Sequence, residues 1–173
     1  MDTRSGADAT TEMDRTTIER TSDQELVVTR TIDGPRDVVF EAWIDADLFR
    51  QWWVPKSFGI TLLSCEIDAR VGGGYRLTFD TGTAEPMAFF GRYLEVTPPT
   101  CLVWTNEEGG DVTLVTTVTF EDDGGRTRLV VHDLYPSKKA LDAAVASGAT
   151  NWNAETFDQL DDLVVTLGAS SRG

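Results

Sequence analysis

The fold is decided by the stretch Ile60–Phe79, ITLLSCEIDARVGGGYRLTF. Its first half alternates between apolar and polar residues with the period of two that is typical of a β-strand. The apolar side of that strand carries Thr61, Leu63, Cys65, Ile67, Ala69 and Val71. Gly72–Gly74 then turn the chain, and a second alternating segment follows. A three-residue loop puts Cys65 on the face of Leu77, whereas a two-residue loop would put Glu66 there, so the sorting of apolar from charged residues predicts the longer loop.

Similar patterns predict seven strands joined mostly by short turns, which indicates an antiparallel sheet. The other predicted strands are Glu25–Ile32, Met87–Val96, Cys101–Asn106, Val112–Phe120 and a last strand that contains Thr127, Leu129 and Val131. The hairpin turn Asp122–Gly125 places Val131 on the face of Val118. The same pairing places His132 on the opposite face, which we interpret as solvated.

Helical patterns flank this sheet. Two short helices are predicted after the first strand, one with Pro35 at its first position and one with Asp45 as N-cap. Near the C-terminus, Ser137 caps a helical segment over 138–146, and the main helix is predicted over about 150–167. Its apolar stripe consists of Trp152, Thr156, Leu160, Leu163 and Leu167. Because a half-apolar sheet and one amphipathic helix must cover each other, the sequence predicts an α+β domain.

The chain has 173 residues, which suits one domain. Residues 1–23 are polar and without periodicity, so we predict a flexible tail there, a single domain over 24–168 and a C-terminal tail over 169–173. No run of about 18 apolar residues occurs, and no secretory signal is recognisable at the N-terminus. A cytoplasmic location is therefore expected.

The formal net charge is −14, with 18 Asp and 11 Glu against 12 Arg and 3 Lys. Such a charge repels nucleic acids and anionic membrane surfaces, so neither is expected as a partner. An acidic, lysine-poor composition is also compatible with a halophilic source. Cys65, Cys101 and the one histidine form no metal-ligand spacing, so we expect neither a metal site nor a cofactor.

Five groups of motif residues follow one another along the chain: Thr31–Pro35 with Val39–Trp43, Leu48 with Trp52–Pro55, Cys65–Arg76, Phe90–Pro99 and Leu102–Thr105. Their joint order resembles the activator-of-heat-shock-chaperone-ATPase-like branch of the START/polyketide-cyclase superfamily (SRPBCC). The resemblance implies a helix-grip (START-like) fold, in which a curved antiparallel sheet of six to seven strands surrounds a long C-terminal helix. It also implies a cavity between sheet and helix. The chain departs from the family at Asn151, where glycine commonly precedes the helix tryptophan.

Aromatic side chains are the first candidates for a site, because a cavity of this kind would be lined by bulky rings. The alternative is that the rings only fill the core. The candidate ligand-binding residues are Trp43, Trp52, Trp53, Phe58, Tyr75, Phe79, Phe89, Trp104, Thr116, Val131, Trp152 and Phe157.

Charged residues form a second group of candidates: Glu66, Asp68, Arg70, Arg76 and Arg92 could act as acids, bases or ion pairs. The strand register favours surface ion pairs for them. No arrangement of Ser, His and Asp or of Cys and His is recognisable, so no catalytic residues are predicted.

Three functions follow as hypotheses. The first is a binding protein for a small apolar or aromatic molecule, held between sheet and last helix. The second is a co-chaperone-like module with a protein partner, which the resemblance alone implies. The third is a cyclase- or hydrolase-type enzyme that uses the same cavity. Either a monomer or a homodimer is compatible with all three.

Overall fold

The computed structural model describes residues 10–13, 16–54, 57, 59–80, 82, 85–108, 111–147 and 152–172. Within these residues the chain forms nine strands and four helices. The strands are β1 (Thr10–Met13), β2 (Thr16–Arg20), β3 (Glu25–Ile32), β4 (Thr61–Ile67), β5 (Gly74–Asp80), β6 (Met87–Thr97), β7 (Cys101–Glu108), β8 (Asp111–Asp123) and β9 (Arg126–Leu134). The helices are α1 (Arg36–Ile44), α2 (Ala46–Phe49), α3 (Lys138–Ser147) and α4 (Trp152–Arg172).

All strands belong to one antiparallel sheet with the order β1-β2-β3-β9-β8-β7-β6-β5-β4. The sheet is curved and unclosed, with β1 and β4 at its edges. α4, the last element of the chain, packs on β2 and β3. The predicted α+β, helix-grip architecture is therefore confirmed, although the sheet exceeds the predicted six to seven strands.

The additional strands, β1 and β2, lie in the segment 1–23 that composition predicted to be a flexible tail. β2 pairs with β3 along its whole length, so its backbone hydrogen bonds are made by the sheet edge and do not depend on its own composition. Thr16 and Ile18 point inward and are buried. At the other end, α4 continues through residues 169–172, which were assigned to a C-terminal tail.

The β4–β5 hairpin sorts its faces as predicted, since Cys65 and Ile67 lie opposite Leu77 and Tyr75. Its register differs from the predicted one. A three-residue loop would pair Val71 with Tyr75, whereas β4 ends at Ile67 and Val71 is 67% exposed. The prediction for Leu63 is wrong, because a bulge between Leu62 and Ser64 shifts the alternation by one residue. Leu62 consequently packs against the core, while Leu63 is 48% exposed. A bulge adds a residue to one strand, and the apolar pattern alone does not reveal its position.

The two short helices follow β3 as predicted. Pro35 is the N-cap of α1 rather than its first helical residue. Asp45 caps α2, its side chain accepting hydrogen bonds from the backbone N–H groups of Asp47 and Leu48. α2 has only four residues, and the chain beyond it continues in turns that carry Trp52 and Trp53 into the core.

Of the predicted stripe of α4, Thr156 and Leu160 are fully buried, whereas Leu163 and Leu167 are half-buried. Phe157 and Val164 beside the stripe are at most 1% exposed, so the buried side of the helix is rotated toward them. The loop between β3 and α1 comes very close to this helix. A Cβ atom on Gly34 would lie 2.1 Å from Cγ1 of Val164, so only glycine allows the approach.

A buried charge network joins α4 to the sheet. The guanidinium group of Arg30 on β3 lies 2.7 Å from Asp158 Oδ1 and 3.1 Å from Asp161 Oδ2. Asp161 also accepts a hydrogen bond of 2.9 Å from the backbone N–H of Asp33. Asp161 is only 6% exposed, because Arg30 supplies the opposite charge inside the interface.

The helices cover the inner face of the sheet unequally. α4 packs chiefly on β2, β3 and α1, while α1 packs on β8 and β9 and α2 packs on β4. The inner faces of β5, β6 and β7 are left with less helical cover. No helix in the described part of the chain is both long and apolar enough to cross a membrane.

Candidate ligand-binding cavity

A cavity of about 450 Å³ lies against the less covered part of the sheet. Its described lining residues are Leu26, Trp43, Phe49, Trp53, Ile67, Tyr75, Leu77, Ala88, Phe89, Phe90, Tyr93, Trp104, Asn106, Glu107, Leu114, Thr116, Val131, Asp133 and Tyr135. They come from the sheet, from α1 and from the chain around α2. None of the described residues of α4 lines the cavity, so α1 and α2 form the helical wall that was expected from the last helix.

The candidate residues from the sequence divide into three groups. Seven line the cavity: Trp43, Trp53, Tyr75, Phe89, Trp104, Thr116 and Val131. Trp52, Phe79 and Phe157 do not line it and are at most 2% exposed, so they fill the core. Phe58 and the side chain of Trp152 lie outside the described residues.

Trp43 is the centre of the aromatic wall. Its ring centroid lies 4.8 Å from that of Trp52, 6.0 Å from that of Trp53 and 5.6 Å from that of Trp104. Trp52 satisfies its indole N–H by donating to the Ala42 carbonyl oxygen at 3.0 Å. The buried indole N–H of Trp43 has no acceptor among the described residues.

Tyr75 forms a polar corner of the cavity. Its hydroxyl oxygen lies 2.8 Å from the carbonyl oxygen of Thr105 and also contacts Oδ1 of Asn106, so two acceptors share its one proton. Burial raises the pKa of Tyr75, which keeps the phenol neutral. A Cβ atom on Gly91 would lie 1.7 Å from the Thr105 carbonyl oxygen and 2.9 Å from Tyr75 Oη, so glycine at this position lets the strands close around the corner.

Asp133 is a cavity residue that the sequence analysis did not include. It lies opposite Thr116 of β8 and Leu26 of β3, on the same face as Val131. The Thr116 hydroxyl donates a hydrogen bond of 2.7 Å to Oδ1 of Asp133. Burial is the main cause that raises the pKa of this carboxyl group, to about 6. One further step of the alternation Thr127, Leu129 and Val131 would have placed Asp133 inward.

The other charged candidates lie on the surface or in ion pairs. Glu66 is exposed opposite Arg76, and both lie on the polar face as predicted. Arg92 Nε lies 2.9 Å from Glu107 Oε2, and this hydrogen bond holds the pKa of Glu107 below its usual value.

His132 lies opposite Thr117, the predicted position, and its Nε2 is 2.8 Å from Glu25 Oε1. That hydrogen bond is the main cause that lowers the pKa of Glu25. Across the described part of the chain, no group of three or more His, Cys, Asp or Glu side chains could hold a metal ion.

Residues 33–165 match the model of one protein family, the activator of Hsp90 ATPase homolog 1-like proteins. The chain belongs to this family. The match spans most of the chain, and the resemblance inferred from the motifs is therefore confirmed. No curated protein matches the chain.

Solved structures of several other proteins share the fold. A protein from Nitrosomonas europaea is 19% identical with a TM-score of 0.77, covering 87% of this chain and 99% of its own. A protein from Rhodobacter sphaeroides is 21% identical with a TM-score of 0.78, covering 87% and 97%. An AHSA1-like protein from Aeromonas hydrophila is 19% identical with a TM-score of 0.64, covering 82% and 94%. At these identities the likeness concerns the fold alone.

Proposed function

We propose that this protein binds a small apolar or aromatic molecule in the cavity between the sheet and the α1–α2 segment. The cavity itself carries the proposal, because a volume of about 450 Å³ with mostly apolar and aromatic walls is typical of small-molecule sites. A core of this size range normally packs without such a space. Family membership supports a START-like ligand-binding module or a co-chaperone-like module and does not name the ligand.

The proposed contact residues are the candidate residues that line the cavity. The rings of Trp43, Trp53 and Trp104 form an apolar wall, and Tyr75 and Thr116 add polar groups that orient a ligand. Phe89 is 45% exposed and marks the side on which the cavity meets solvent.

Titration with Nile red, a neutral fluorescent dye that brightens in apolar surroundings, tests the proposal. We expect saturable enhancement with the wild type. In Leu114→Trp, an indole ring replaces a smaller side chain of the lining and fills part of the cavity. We expect the affinity for Nile red to fall by about tenfold or more, because the dye loses part of its apolar contact. Leu63→Trp makes the same change at an exposed position outside the lining and should leave affinity within about twofold. Absence of saturable binding to the wild type would contradict the proposal.

The co-chaperone-like module and the cyclase- or hydrolase-type enzyme stay predictions. A protein partner that docks on the surface would still bind Leu114→Trp, whereas an enzyme that uses the cavity would lose activity in that variant. The cytoplasmic location and the choice between monomer and homodimer also stay predictions.

A further inference from the structure

The carboxyl group of Asp133 faces the cavity with few partners. Its one hydrogen bond within the described residues comes from the Thr116 hydroxyl, at 2.7 Å. On the neighbouring strand the residue opposite is Leu26, which offers no polar side chain. An acid with a pKa of about 6 is mostly ionised at neutral pH, so the cavity then carries a negative charge in apolar surroundings.

No cation of the described chain neutralises this charge from within the cavity. The described lining contains no Lys, Arg or His. His132 lies on the opposite face with Glu25, and Arg20 pairs with Asp142 at 2.8 Å. The second acidic lining residue, Glu107, is already paired with Arg92. Asp133 is therefore the carboxylate that needs a counter-ion.

The rest of the lining suits an organic cation. The rings of Trp43, Trp53, Trp104, Tyr75, Tyr93 and Tyr135 surround the space, and aromatic faces attract ammonium groups. The net charge of −14 adds a long-range field that concentrates cations at the protein surface. A metal ion would need further oxygen ligands, whereas an amine needs one carboxylate and an apolar wall.

We infer that the cavity takes an amphipathic organic cation, whose protonated amine pairs with the Asp133 carboxylate while its apolar or aromatic body lies against the tryptophan rings. The inference rests on the proposed function and specifies the ligand class. Thr116 orients the carboxylate, and the apolar wall excludes water from the ion pair, which strengthens it.

Three naphthalene derivatives of similar shape test the inference by calorimetric titration at about pH 7.5. They are 2-naphthylmethylamine as the cation, 2-naphthylmethanol as its neutral analogue and 2-naphthoate as an anion. We expect the amine to bind wild type about 10- to 100-fold more tightly than the alcohol, the range for a hydrogen bond to a charged group. The naphthoate should bind most weakly. This comparison requires no variant.

Asp133→Asn then assigns the effect to one carboxylate, because asparagine keeps an oxygen for Thr116 and removes the charge. The variant should lose the preference for the amine and bind the alcohol within about threefold of wild type. Glu107→Gln is the matched control and should keep the preference, since Arg92 already neutralises Glu107.

The possible failures are distinguishable. If the alcohol binds wild type as tightly as the amine, or if Asp133→Asn keeps the preference, the cation inference is overturned and the apolar cavity stands. If none of the three compounds binds, the inference is overturned, and absence of Nile red binding as well would overturn the proposed function too.

Discussion

At the residue scale, the Asp133 carboxyl group lowers the stability of the unliganded fold above about pH 6. Its pKa is raised from 3.8 to about 6 by burial, so between these values the folded state binds more protons than the unfolded state. Stability therefore falls as pH rises through this window. A difference of about two pKa units corresponds to about 3 kcal/mol above pH 6.

Asp133→Asn removes an ionisable group, so we expect the unliganded variant to be more stable than wild type by about 1–3 kcal/mol near pH 8 and unchanged near pH 4. Urea unfolding at both pH values measures this. Asp162→Asn makes the same chemical change on an exposed part of α4 and should shift stability by no more than about 0.5 kcal/mol. A loss of stability in Asp133→Asn near pH 8 would show that the carboxylate has a partner that stabilises it.

The sequence indicates large rings as candidate cavity residues more readily than it indicates polar side chains. Trp43, Tyr75 and Trp104 were selected because large rings must be buried somewhere. Asp133 was not selected, because its sequence neighbourhood gives no sign that a cavity faces that strand position. The alternation of β9 could have placed it inward, but only the three-dimensional arrangement shows the space around it.

At the element scale, the contact between α4 and the sheet depends on charge as well as on the apolar stripe. The Arg30 side chain is 2% exposed, and Asp161 contacts both this guanidinium and the backbone of the β3–α1 loop. The stripe of α4 could be predicted from helical spacing. The ion pair could not, because Arg30 and Asp161 are 131 positions apart and each looks like a surface residue in its own segment.

Asp161→Leu should destabilise the protein by about 1–3 kcal/mol, because it removes one of the two carboxylates that compensate the buried Arg30 charge while Asp158 remains. Asp162→Leu, one position along the same helix and exposed, is the matched control and should cost no more than about 0.5 kcal/mol. The double variant Arg30→Met/Asp161→Leu should lose less stability than Asp161→Leu alone, since no buried charge remains. Additive losses in the double variant, measured by urea unfolding, would mean that the two side chains act independently.

The N-terminal strand β2 is the other element that differs from the sequence-based prediction. β2 carries only Thr16 and Ile18 on its buried face, a pattern too short to distinguish a strand from a polar tail. Its structure comes from the free edge of β3, which offers a complete row of hydrogen-bonding groups. A strand of this kind depends on its tertiary partners, here β3 on one side and β1 on the other, so the sequence segment by itself does not specify it.

At the scale of the whole molecule, one long helix cannot cover the inner face of a curved sheet of nine strands. α4 covers β2 and β3, and the α1–α2 segment covers β4, β8 and β9. The cavity occupies what remains in front of β5, β6 and β7. Its existence follows from the predicted architecture, while its helical wall and its acidic group follow from details of coverage that the pattern of apolar residues does not contain.

The net charge of −14 is a property of the whole chain, and it predicts that salt stabilises the fold. Raising KCl from about 0.05 to 0.5 M shortens the screening length from about 14 to about 4 Å, which weakens repulsion between carboxylates across the surface. Screening of exposed ion pairs such as Arg128–Glu121 costs little stability, because each pair contributes only about 0–1 kcal/mol to the free energy of unfolding. We expect the free energy of unfolding to rise by about 1 kcal/mol near pH 7.5, seen as a rise in Tm of about 2–4 °C.

The control is the same increase in KCl near pH 4.3, where the net charge is close to zero and the change in Tm should be much smaller. A Tm that falls with salt at pH 7.5 would mean that attractive pairs outweigh the repulsion between the excess carboxylates.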